Sequence, residues 1–194
     1  MILYLDTETT GLYPGQICQL SYLMQTKDSV RAKNYFFSVE NVEYGAYMVH
    51  GFSKQKLQEL SNGKKFKDDI DQIQEDFESA DLVVAHNVAF DIMFLRREFE
   101  RLNRVFRAQE EFCTMKNLIP VCKIPKKRGQ GYKYPKLSEA CEFFRITDTE
   151  IKEDVKRFFG KDVGFHDARF DTTALYLIAN VAMEKELEEI RKYL

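Results

Sequence analysis

The feature that most constrains this chain stands at its start, MILYLDTETTG. Ile2, Leu3, Tyr4 and Leu5 read as a buried strand, and Asp6 and Glu8 follow with one threonine between them. In an extended segment, residues two apart point the same way with Cβ atoms roughly 6 to 7 Å apart. The strand therefore ends by presenting two carboxylates side by side. At an effective dielectric of about 20, two carboxylates 4 Å apart repel by roughly 4 kcal/mol. Such a pair is solvated, or it has positive charge set between its members.

The rest of the chain has to supply one or the other. Its 194 residues suffice for one domain spanning 1–194 with a substantial core. Apolar residues make up 44% and charged ones 31%, which excludes a disordered chain. Cys18, Cys113, Cys122 and Cys141 form no CxxC pair, so they read as thiols in a reducing compartment rather than a disulfide framework or a zinc site. The opening apolar run is too short for a signal peptide, and no later run approaches the eighteen residues of a membrane span. The expectation is a cytoplasmic protein with no membrane association.

Gly11, Pro14 and Gly15 mark a turn after the first strand. Ile17, Leu20, Tyr22 and Met24 predict a second strand, and Tyr35 to Val39 a third, in an antiparallel meander. Ser53 predicts a cap for a helix through Leu60, and Phe66, Ile70, Ile73 and Phe77 recur at helical spacing. LVVAH is a short strand, and Asn87 is read as the cap of a helix to about Leu102 with Phe90, Met93, Phe94 and Phe99 toward the core. A strand near Glu111 to Cys113 precedes a basic loop from Lys123 to Lys136. Helices are predicted over Leu137 to Phe144, Thr149 to Phe158, and from about Ala168 nearly to the end. Strands that first meander and then alternate with helices imply an α/β domain with a mixed sheet.

Two more acids stand at these junctions. HNVAFD puts Asp91, and FHDARFD puts Asp171, in the first turn of a helix. Open α/β sheets place ligands where strands end and helices begin. Each acid alone fits a bland reading: Asp6 and Glu8 a solvated turn, Asp91 and Asp171 first-turn acids favoured by the helix dipole. Together, four converging carboxylates cannot stay ionised without cations, and oxygen-only ligation suits Mg²⁺ or Mn²⁺. Two such ions 3.5 to 4 Å apart, on the order of the usual two-metal spacing, would serve phosphodiester hydrolysis. His166 lies about 140° from Asp171 on a helical wheel. If Asp167 or its neighbour caps the helix, His166 hangs from the preceding loop, where a neutral imidazole is suited to take a proton from the attacking water. His86 reads as a structural partner of Asn87.

These residues resemble the DnaQ-like 3′→5′ exonucleases of the DEDDh class, on the ribonuclease H-like fold. Three motifs occur in order, DTETTG, HNVAFD and HDARFD, with a V-H-G-hydrophobic loop at Val49, His50, Gly51 and Phe52 between the first two. The sister class carries tyrosine four positions before the last acid, where this chain has Asp167. The resemblance implies a five-stranded mixed sheet with the second strand antiparallel to the rest. It implies that Asp6, Glu8 and Asp171 bind two divalent ions, that Asp91 supports them partly through water, and that His166 is the general base. Thr9, Thr10, Gly11 and Leu12 would receive the 3′ end, Val49, His50 and Phe52 would meet its base, and Asn87 and Phe90 would complete the substrate side. Two divalent ions would turn the formal charge of −2 into about +2, removing the objection to a polyanionic substrate.

The stretch from Phe112 to Ser138 has no acid and seven basic residues, among them Lys123, Lys126, Lys127, Arg128 and Lys133, with Tyr132 and Tyr134 nearby. Basic and aromatic side chains together suit a single strand, although a lysine-rich loop is also simply soluble surface. EKELEEIRK near the end reads as solvated helix. The absence beyond Leu194 of the segment with which the family's replicative proofreading subunit holds its polymerase favours a free-standing nuclease, while leaving a polymerase partner open. The expectation is therefore a metal-dependent exonuclease on single-stranded or frayed DNA 3′ ends, in repair or proofreading. An exoribonuclease or oligoribonuclease is the alternative. A non-catalytic nucleic-acid binding module would be signalled by a lost acid, and all four are present.

Overall fold

The structure, a computed structural model, describes residues 1–12, 15–184 and 192–193. Its strands are β1 (Ile2–Thr9), β2 (Ile17–Gln25), β3 (Val30–Phe36), β4 (Leu82–Ala85) and β5 (Glu111–Cys113). They form one sheet in the order β3-β2-β1-β4-β5. The β1–β2 and β2–β3 pairs are antiparallel and the β1–β4 and β4–β5 pairs parallel, so β2 alone opposes the other four.

The helices are α1 (Tyr44–His50), α2 (Lys54–Leu60), α3 (Phe66–Glu78), α4 (Val88–Arg101), α5 (Thr114–Asn117), α6 (Ile119–Cys122), α7 (Leu137–Phe144), α8 (Asp148–Phe159) and α9 (Ala168–Met183). They cover both sheet faces, and β1 shows how. Leu3 and Leu5 pack with Phe77, Phe94 and Phe99 from α3 and α4. Ile2 and Tyr4 pack with Ala140, Ile151, Phe170 and Leu175 from α7, α8 and α9. A strand buried on both faces reads as an unbroken apolar run, which is what Ile2 to Leu5 are. The same alternation continues past Leu5: Asp6 and Glu8 fall on the α9 face and Thr7 on the α4 face.

Several boundaries differ from the sequence expectation. The third strand lies earlier, over Val30–Phe36 rather than Tyr35 to Val39. It is an edge strand of partly exposed residues with little apolar pattern to read, and its register is set by the turn in which Thr26 N–H donates to Ser29 O. Phe37 and Val39 are buried just beyond it. Val49 and His50 sit in α1, not in a loop; this helix buries no residue, so no apolar stripe announced it, and Gly51 ends it at φ 74°. The short α5 and α6 were also unforeseen. Asn87 precedes α4 as expected but adopts φ 106° and makes no side-chain cap. Ser53 does cap α2, its hydroxyl accepting from Lys56 N–H at 3.2 Å. Most of EKELEEIRK lies outside the described residues. Cys18, Cys113 and Cys141 are buried free thiols and Cys122 is partly exposed.

Phe77 is fully buried and touches Tyr22 and Phe106 edge-on. Phe77→Ala is expected to destabilise the fold by about 3 to 5 kcal/mol, read from urea unfolding, because the cavity it leaves is walled by rigid rings. A loss below about 1 kcal/mol would mean that this face of the sheet can collapse around the gap.

Candidate active site

The end of β1 brings its acids to the start of α9. Among the described residues, Asp6, Glu8 and Asp171 each offer a carboxylate oxygen, and the three oxygens lie within 4.8 Å of one another. Asp171 stands in the first turn of α9, held there because Asp167 caps the helix with its side chain on Arg169 N–H at 3.1 Å. Asp171 Oδ2 accepts from His166 N–H at 3.3 Å, while Asp171 Oδ1 is buried without a hydrogen-bond partner among the described residues. Asp91 comes from the other side of β1, buried on α4, and its Oδ1 accepts from the Thr7 hydroxyl at 2.8 Å. It is not one of the three mutually close oxygens, but its charge bears on Asp6. Thr7 was not foreseen; the odd-residue face of the opening strand was the signal for it.

Burial of these acids changes their protonation. Burial, then the charge of Asp171, pushes Glu8 up to about 9. Burial raises Asp171 and Asp91 to about 7 each, and burial followed by the charges of Asp171, Asp91 and Glu8 raises Asp6 well above the ordinary carboxylate range. An all-oxygen donor set with an orphaned, buried carboxylate oxygen fits a hard divalent cation.

Beside the acids lies a cavity of about 430 Å³, lined by Glu8, Thr9, Gly11, Leu12, Val49, His50 and Phe90 among others. Leu12 and Val49 are exposed at its mouth. Phe52 N–H donates to His50 Nδ1 at 3.0 Å, so Nε2 carries the proton and donates to Thr9 O at 3.2 Å. This arrangement pins α1 to the end of β1. Burial lowers the His50 pKa, with a further contribution from the nearby His166. A Cβ at Gly11 would sit 2.3 to 2.6 Å from the Glu43 carboxyl, the far end of a flexible side chain, while Glu43 N–H donates to Thr10 O at 2.8 Å. Glu43 escaped the sequence reading, since no motif marks it.

Other expected site residues do not line this cavity. The Thr10 hydroxyl is turned to Gln16 N–H at 2.8 Å, and Phe52 packs edge-on against Phe36. His86 is structural, as expected, but its ring meets the Thr114 hydroxyl and Pro135 O, both at 3.0 Å, rather than Asn87. It thereby fastens the exit of the basic loop to the end of β4. In that loop Lys123, Lys126, Lys127 and Arg128 are exposed, but Lys133 is paired with Glu139, one residue past the acid-free stretch. His166 is exposed in the turn before α9, with φ 62°.

A pH dependence follows from the raised acids. Between about pH 4 and pH 9 the folded chain binds more protons at this site than the unfolded chain, so ν_U − ν_N is negative and stability falls as pH rises. In chelator, the melting temperature is expected to drop across this range. Added Mg²⁺ or Mn²⁺ should restore it far more at pH 8 than at pH 5, and calorimetry near pH 7 should register proton release on metal uptake. An equal metal effect at both pH values would show that these acids are not the binding site.

The family model described as Exonuclease, RNase_T, matches residues 3–176. DNA polymerase III subunit epsilon of Rickettsia felis is 28% identical over 151 residues, covering 75% of this chain and 62% of the relative. Its counterpart in Escherichia coli K12 is 28% identical over 137 residues, covering 64% of this chain and 55% of the relative. Escherichia coli exonuclease I in complex with a 5cy-dT13 oligonucleotide superposes with a TM-score of 0.71 at 15% identity, over 99% of this chain and 41% of that one. The nuclease domain of 3′hExo, a DEDDh family member bound to rAMP, superposes with a TM-score of 0.61 at 12% identity, over 96% of this chain and 92% of that one. The chain thus spans a little over three fifths of the Rickettsia relative and about two fifths of exonuclease I. With the three acidic motifs in order and the sheet topology they call for, the chain belongs to the RNase_T exonuclease family, as a DnaQ-like member of the DEDDh class on a ribonuclease H-like fold.

Proposed function

We propose that this chain is a 3′→5′ exonuclease that removes nucleoside 5′-monophosphates from the 3′ ends of single-stranded or frayed DNA. The observation that carries the reading is the meeting of Asp6, Glu8 and Asp171 within 4.8 Å, beside a cavity at the end of β1. These three carboxylates, with Asp91 behind them, would hold two divalent ions, Mg²⁺ or Mn²⁺. When bound, the ions supply positive charge that offsets the charge developing on the phosphodiester.

The chain's own residues would do the rest. The backbone from Thr9 to Leu12 receives the terminal nucleotide, with Val49, His50 and Phe90 against its apolar parts. His166, exposed at the mouth of the α9 turn, accepts the proton of the attacking water. The water oxygen bonds to phosphorus, the bond from phosphorus to the 3′ oxygen of the preceding nucleotide breaks, and that oxygen takes a proton from solvent. The products are a nucleoside 5′-monophosphate and a strand shorter by one with a free 3′-hydroxyl. Lys123, Lys126, Lys127 and Arg128 are exposed and suited to the strand's phosphates. Lys133, committed to Glu139, contributes to the loop's shape instead.

A second reading, RNA ends, draws support from the rAMP held by the similarly folded nuclease domain of 3′hExo. The epsilon relatives are polymerase subunits by name, and that likeness is the ground for a polymerase partner of this chain.

End-labelled single-stranded DNA, duplex DNA and RNA of one sequence, each with Mg²⁺, Mn²⁺ or chelator, are expected to give stepwise ladders from the 3′ end of DNA, and none in chelator. Internal fragments would overturn exonuclease action. Asp6→Ala and Asp171→Ala should abolish cleavage and metal uptake. His166→Ala should keep metal uptake and lose about 10²- to 10⁴-fold in rate. Replacing Lys126, Lys127 and Arg128 together by Gln should weaken single-strand binding more at low salt than at high and flatten the dependence of log K on log salt. Unchanged affinity with an unchanged slope would remove the loop from the binding surface.

A further inference from the structure

The turn that carries His166 is an unfavourable one. His166 holds φ 62°, in the left-handed region that residues other than glycine adopt uncommonly. The residues that follow it join a largely buried polar network that reaches well beyond the acidic motifs. Asp167, next in the chain, receives the Arg169 guanidinium in a forked pair, Nε to Oδ1 at 2.8 Å and Nη2 to Oδ2 at 2.7 Å. Gln19, fully buried near the start of β2, donates from Nε2 to Asp167 Oδ1 at 2.9 Å and accepts Ala168 N–H on Oε1 at 3.1 Å. Its second amide hydrogen goes to Asn34 Oδ1 of β3 at 2.8 Å.

The network reaches further on its outer side. The Arg169 guanidinium lies over the Phe36 ring, 5.3 Å from its centroid. Phe36 meets Phe52 edge-on at 5.4 Å, and Phe52 stacks on His50 at 5.2 Å. His50 in turn holds Thr9 O in the cavity wall. Packed side chains thus run without a break from the cavity to the His166 turn.

We propose that Arg169, gripped by Asp167 and seated on Phe36, is a positioning residue that fixes the His166 turn relative to the cavity. Gln19 braces the same turn from inside the sheet. The proposal rests on the reading of His166 as the base, and Arg169 acts through it rather than on substrate. A planar, five-donor guanidinium is required, because only a fork can occupy both Asp167 oxygens at once.

The test is a double-mutant cycle on the full chain with Mn²⁺ and an end-labelled single-stranded oligonucleotide. Arg169→Met should lower kcat about 10-fold or more with KM and Mn²⁺ affinity little changed, as expected when a reacting group is displaced. Arg169→Lys, which keeps the charge and loses the fork, should recover part of the loss. In a His166→Ala background, Arg169→Met should cost nothing further. Gln19→Met should reproduce the kcat loss if the inner brace matters, and a folded Gln19→Met enzyme with wild-type kcat would remove Gln19 from the device. Full kcat in Arg169→Met, or the same fold-loss with and without His166, would overturn the proposal for Arg169. Full activity in His166→Ala alone would overturn the base reading and the proposal with it. A reduced His166→Ala rate with an independent Arg169 effect would sink the proposal and leave the base reading intact.

Discussion

Mutual repulsion among carboxylates is the constraint around which this molecule is arranged. Asp6 and Glu8 share one face of β1 because an extended chain repeats every two residues, and α9 delivers Asp171 to that same face. Nothing about packing favours this meeting. It persists because both sheet faces are sealed by aromatic and aliphatic layers whose burial outweighs the local penalty, and because the site lies at the rim, where the strand leaves the core. The energy stored there is what a pair of divalent cations would release, so folding and metal binding draw on the same electrostatic imbalance.

The opposite face of β1 treats its acid differently. Asp91 comes from α4 and is calmed by a neutral donor, the Thr7 hydroxyl, rather than left orphaned. One strand therefore separates two environments. On one side Asp171 Oδ1 is buried with no hydrogen-bond partner among the described residues, and on the other Asp91 Oδ1 accepts from Thr7. That asymmetry gives a chemical reason to expect direct cation contact from Asp6, Glu8 and Asp171 and a looser contribution from Asp91.

How much of this the sequence discloses depends on how local each signal is. The paired acids of β1 follow from its period, the first-turn positions of Asp91 and Asp171 from helix starts, and the antiparallel second strand from a meander whose first turn carries glycine and proline. Signals that depend on distant partners are silent. Gln19 reads as an ordinary polar residue in a strand, since its partner Asp167 stands 148 positions away. Helix α1 carries no apolar stripe because it buries nothing, and β3 is displaced because an edge strand need not alternate. In the basic loop, the pairing of Lys133 is silent because its partner, Glu139, stands just past the acid-free stretch.

The Glu43 carboxyl lies where the first carbon of any other side chain at position 11 would be, and Glu43 N–H ties the start of α1 to Thr10 O. Because that carboxyl is the far end of a flexible side chain, a methyl group at position 11 would turn the carboxyl aside rather than part β1 from α1. The residue at 11 thus governs where a negative charge rests in the wall of the cavity.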